Sequence, residues 1–131
     1  MTPALKITAL YAALNALLML VLSLNVVRNR LGTRTPILDG GKPPMIAAVR
    51  AHGNNTEYVP MVLILLGFVE WLGGSPPLVH TIGGMLTAGR IVHATALLRS
   101  TGPGALRGAG MFLTWGSMLV GIVAILGLTL A

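Results

Sequence analysis

Two stretches without a single charged residue bound what this chain can become. Ile7 to Val27 runs for 21 residues and Gly108 to Ala131 for 24. About 20 apolar residues wound as a helix cross the hydrocarbon core of a bilayer, and soluble cores rarely need runs so long. The rest of the chain agrees. Only 9% of its residues are charged, where a soluble domain would carry roughly a quarter, and its mean hydropathy is +0.82. At 131 residues there is room for one domain. The expected fold is therefore an all-α integral membrane protein, a bundle of four transmembrane helices.

The helices are expected at about residues 4–30, 45–72, 78–98 and 106–130. Pro3 suits the first turn of the first helix. Despite Lys6, the run that follows is too long for the apolar core of a signal peptide, and no small-x-small cleavage pattern precedes Arg28. Asn15 and Asn25 are expected to pack between helices, because an amide facing lipid is costly. Turn formers crowd Leu31 to Pro44, with Gly32, Pro36, Asp39, Gly40, Gly41, Pro43 and Pro44. Pro60, inside the second helix, removes one backbone hydrogen bond and crowds the carbonyl of Thr56, so a kink is expected beside Glu57. Gly73 to Pro77 reads as an uncharged turn, and Gly102, Pro103 and Gly104 break the chain before the last helix. Gly108, Gly110, Gly116, Ser117 and Gly121 allow that helix to be approached closely.

Charge orients the bundle. Arg28, Arg30, Arg34 and Lys42 flank or fill the first connector, and Arg99 and Arg107 bound the third, while the second carries none. The positive-inside rule then puts the first and third connectors in the cytoplasm and both termini on the opposite, periplasmic side. A formal charge of +6 does not point to nucleic acid, since the cations do not cluster with aromatics on a polar face. With no cysteine, disulfides and thiolate sites are excluded. The three histidines lack ligand spacing, so no metal is expected.

Arg50 to Pro60, R-A-H-G-N-N-T-E-Y-V-P, is the polar opening of an otherwise apolar helix. Arg50, Gly53, Asn54 and Glu57 fall within about a 100° arc of one face. Glu57 lies roughly 20 Å along the axis from Trp71, at 1.5 Å per residue. If Trp71 marks an interface, that depth is inside the bilayer, where ionisable groups face a bundle interior or a wet cleft. Arg90 and His93 in the third helix reach the same depth on the same side. Arginines suit a carboxylate-bearing ligand, and a lone glutamate can receive an ammonium group. A small zwitterionic peptide with two carboxylates and one amine matches that inventory. The competing reading is a structural ion pair between Glu57 and Arg50 or Arg90. His52 and His80 read as interfacial or packing residues, the methionines as filler, and Trp71 and Tyr58 as interface anchors, with Tyr58 also able to reach the site.

R-A-H-G-N-N-T-E-Y-V-P and the later G-R-I-V-H-A-T-A resemble the signature segments of the MAPEG superfamily, the membrane-associated proteins of eicosanoid and glutathione metabolism. The L-N-V-V-R-N-R end of the first helix and the H-G-N-N-T-E-Y core point to its bacterial inner-membrane branch. The resemblance implies a homotrimer that binds glutathione as co-substrate between subunits near the cytoplasmic side. By position, Arg50, Asn54, Glu57 and Tyr58 would hold glutathione, with His52, Arg90, His93 and Arg30 as further contacts. Arg107, or Arg99 as the fallback, would activate its thiol. The implied activity is glutathione transfer or peroxide reduction, a detoxification of lipophilic electrophiles reaching the protein through membrane lipid. Leu97 stands where several members have a tyrosine, so one hydroxyl donor is missing. The alternative is a non-catalytic membrane protein of the same fold that holds glutathione, a lipid headgroup or another anion.

Overall fold

The computed structural model describes residues 5–130, so Pro3 lies outside the described residues. Four helices follow in order, α1 (Lys6–Thr33), α2 (Pro43–Trp71), α3 (Pro76–Arg99) and α4 (Ala105–Leu130). α1 and α4 are both long and apolar enough to cross a membrane. The polar residues that α2 and α3 carry are the ones that build the site.

The ends follow local chemistry. Pro43 and Pro44 open α2, and Pro76 and Pro77 open α3, where a missing N–H costs nothing. The second pair was expected in the turn and lies instead in the first helical turn. α1 runs past Gly32 and stops at Arg34, whose φ of 52° is left-handed. There Thr35 N–H bonds Arg30 O at 3.1 Å and Arg34 N–H bonds Leu31 O at 3.4 Å, the paired bonds of a Schellman cap. α2 runs as one unbroken helix through Pro60.

Packing explains why the bundle holds without a hydrophobic drive inside lipid. Val59, Val62, Leu66 and Val69 of α2 meet Val79, Ile82 and Leu86 of α3 in one cluster. A second, nearer the charged connectors, joins Leu22, Ala51, Ala94 and Leu97. α3 and α4 touch backbone to backbone at two glycines. A Cβ on Gly89 would lie 2.9 Å from Gly110 O, and one on Gly110 would lie 2.6 Å from His93 N. A side chain at either position would prise the helices apart just where Arg90 and His93 sit.

α1 is tied on by polar contacts. The Glu70 carboxylate accepts the N–H groups of Ile7 at 3.0 Å and Thr8 at 2.7 Å, capping α1 from the end of α2. The Tyr11 ring fills the space over Gly83, and its hydroxyl meets His80. Asn15 is buried and donates to Tyr11 O and Thr87 Oγ1, both at 2.9 Å. Asn25 is half-buried and accepts from Asn29.

Candidate functional site

One guanidinium, wholly buried between three helices, organises the polar interior. The turn at Gly89 brings α4 against α3, so Met111 and Thr114 arrive beside Arg90, while α2 presents Asn54, Asn55 and Tyr58 from the other side. Arg90 Nε donates to Asn55 Oδ1 at 3.4 Å. Nη1 donates to Thr114 Oγ1 at 3.4 Å and toward Met111 Sδ at 3.8 Å. Nη2 donates to Asn54 Oδ1 at 2.7 Å and to His93 Nδ1 at 3.1 Å. The Tyr58 ring lies 5.7 Å from Cζ, within cation–π range.

An arginine has five N–H donors and no acceptor, and all five find partners here. Within the protomer these donors are turned inward, and none of the partners is a carboxylate. Two consequences follow. Glu57 makes no direct contact with it inside the protomer, so the two do not form a close ion pair there. And the donor-only guanidinium fixes its neighbours: His93 carries its proton on Nε2, Thr114 turns its hydroxyl hydrogen to Gly110 O at 2.9 Å, and Asn54, with Oδ1 on Arg90, directs Nδ2 away from it. The Nδ2 of Asn55, by contrast, is buried without a partner.

Outside this knot the expected residues diverge. Asn54 and Tyr58 are half-buried, joining the interior to the surface, and His52 is half-buried on the same helix. Arg50 and Glu57 are exposed on the outward face of α2, in line with the exposed Met61, Ile64, Phe68 and Trp71. Arg107 is half-buried at the start of α4, donates to Thr101 O at 3.2 Å, and borders a cavity of about 510 Å³ that also includes Met111, Phe112 and Trp115. Arg99 is exposed at the end of α3. Arg30 joins neither group: its Nη1 donates to Thr35 O and Leu38 O, both at 3.1 Å. Leu97 is buried against Leu22, Ala51 and Ala94.

Asn55, Met111 and Thr114 were not anticipated as partners of Arg90. Thr114 is a rare polar residue within an apolar run and was the legible hint. Met111 carried no such signal, because a thioether beside a cation looks like filler until the helix pairing is known.

A membrane helix bundle with a polar knot at one buried guanidinium, opening onto the face of its second helix, is the class that fold and site define. The chain belongs to the MAPEG family, which it matches over residues 8–127. It is 38% identical over 122 residues to "Inner membrane protein YecN" of Escherichia coli strain K12, covering 90% of this chain and 88% of that one. The protein of the same name in E. coli O6:H1 strain CFT073 is similar to the same degree.

Proposed function

We propose that the chain is a glutathione transferase or peroxidase of the bacterial inner membrane, working as a homotrimer of four-span protomers. The first and third connectors face the cytoplasm and both termini the periplasm. The observation that carries this reading is the position of Arg50 and Glu57. Both are exposed on the outward face of α2, and Glu57, roughly 20 Å along the axis from Trp71, is at a depth where contact with lipid is costly. A second subunit laid over that face turns the exposure into a shared wet cleft.

The cleft offers what glutathione needs. Arg50 and Asn54 Nδ2 donate to its carboxylates, and Glu57 receives its ammonium group, with Tyr58 alongside. Arg90 acts at one remove, by holding Asn54 and Tyr58 in place. Arg107 is favoured over Arg99 as the thiol activator, because it borders both the cavity beside Trp115 and Met111 of the knot. A cation near the sulfur stabilises the thiolate, the reactive nucleophile. On an aryl halide the thiolate forms the carbon–sulfur bond and halide leaves; with a hydroperoxide, two glutathiones give disulfide, alcohol and water.

Buried Leu97, with no hydroxyl to offer the thiol, favours the second reading, a protein that binds glutathione or another anion without turnover. Conjugation of a chromogenic halonitrobenzene by the purified protein, across a glutathione titration, separates the two. Saturable turnover is expected. Saturable binding without product would leave only the second.

A further inference from the structure

The end of α1 and the connector after it form a second cationic feature, apart from the knot around Arg90. The connector folds back on the helix end and is braced there: Arg30 holds the carbonyls of Thr35 and Leu38, and Lys42 Nζ donates to Thr33 O. Leu38 is held at a φ of 56°, a conformation rare for a leucine, with its side chain 75% exposed beside Ile37 at 74%. The fold leaves an open surface pocket of about 370 Å³ lined by Arg30, Leu31, Arg34, Thr35 and Pro36. Arg34 takes the left-handed cap position where glycine is the usual residue, and its side chain is exposed. Backbone chemistry alone does not ask for an arginine there.

Depth places this pocket. The uncharged run Ile7–Val27 spans about 30 Å as a helix, the thickness of the hydrocarbon core. Arg28 to Leu38 therefore lie at headgroup level, where exposed Ile37 and Leu38 find an interface rather than open water. Below the pocket, Leu31, Val27, Leu24, Leu20 and Leu17 are half or more exposed on one face of α1. The sign of the charge selects the occupant. Arg28, Arg30, Arg34 and Lys42 meet one acid, Asp39, whose Oδ1 is already bonded to Gly41 N–H at 2.9 Å. A second copy of this chain, at +6 with three acidic residues, has few carboxylates to offer. A lipid phosphate supplies the missing anion.

We propose that this is a binding site for one anionic phospholipid, its phosphodiester between Arg30 and Arg34 and its acyl chains along the leucine face of α1. The site does not depend on the glutathione reading. Native mass spectrometry of the purified full-length protein, titrated with phosphatidylglycerol or phosphatidylcholine, tests it. Wild type is expected to retain phosphatidylglycerol at least tenfold better. Arg34→Gly should abolish most of that preference while keeping the fold, since glycine suits the left-handed cap. Lys6→Gln, which removes one charge from the opposite end of α1, should keep it. Equal retention of the two lipids would overturn the proposal, as would an unaffected Arg34→Gly. An equal loss in Lys6→Gln would reduce the effect to net charge and overturn it too. So would displacement of the lipid by glutathione, which would return Arg30 and Arg34 to the cleft, or equal competition by glycerol phosphate, which lacks the chains.

Discussion

Arg90 reaches five acceptors on three helices, and lysine, with three donors, cannot replace it. Arg90→Lys leaves at least two of these acceptors without a donor, at about 1–3 kcal/mol for each buried oxygen or nitrogen among them. The thermal midpoint should fall, and glutathione affinity with it, because Asn54 is no longer held. Glu57 should behave in the opposite way. It is exposed and makes no hydrogen bond to the Arg90 knot, so Glu57→Gln should cost far less thermal stability than Arg90→Lys. If Glu57 receives the glutathione amine as proposed, losing that charge-assisted contact, worth about 1.5–3 kcal/mol, should weaken binding roughly ten- to 150-fold at 1.4 kcal/mol per decade. Calorimetric titration and a melting curve on one mutant check both. A large loss of stability with unchanged affinity would sink the ligand role of Glu57.

At the scale of elements, the α3–α4 contact and the cap on α1 are the joints that position the site. Gly110→Ala sets a methyl 2.7 Å from His93 Cβ and 2.8 Å from Gly89 O. Backbone cannot yield as a side-chain tip does, so overpacking of about 1–3 kcal/mol or more is expected. The displaced helix should also disturb Thr114 and Met111. Gly127→Ala, with nothing within 4 Å of the new methyl, serves as the control and should be neutral or slightly stabilising in the same melt. Glu70→Ala removes the carboxylate that caps α1 and should cost about 0.5–2 kcal/mol. Its signature would be faster amide exchange at Ile7 and Thr8, with the Arg90 knot unaffected. Exchange unchanged at those two amides would show that the cap holds nothing.

At the scale of the whole molecule, a single protomer leaves Arg50 and Glu57 on the same outward stripe as Phe68 and Trp71. In the proposed trimer a neighbouring subunit covers this stripe. Mass measurement in a gentle detergent should give three times 13.6 kDa. A stable monomer that still binds glutathione would contradict the shared cleft. If the cleft joins subunits, dilution below the trimer's dissociation range should abolish glutathione binding and turnover together.

What the sequence determined by itself was the four-helix order and the polar segment of α2. Uncharged runs of 21 and 24 residues set helix type and a minimum length, because a backbone in lipid must bond to itself. Pro43 and Pro44 marked where α2 begins and R-A-H-G-N-N-T-E-Y-V-P its polar opening, while the start of α3 at Pro76, expected two residues later, was placed by the structure. What the sequence marked rests on interactions local in the chain. The tertiary structure alone decided which polar residues meet. Periodicity placed Arg50, Asn54 and Glu57 on one face and Arg90 at the same depth, which left an Arg90–Glu57 pair and a ligand contact for Arg90 both open. The Gly89–Gly110 contact brings Thr114 and Met111 to within reach of Arg90, so that within the protomer its hydrogen bonds go to neutral acceptors. Donors on one helix are matched to acceptors on two others only once the backbones have docked. No spacing along a single helix encodes that distance.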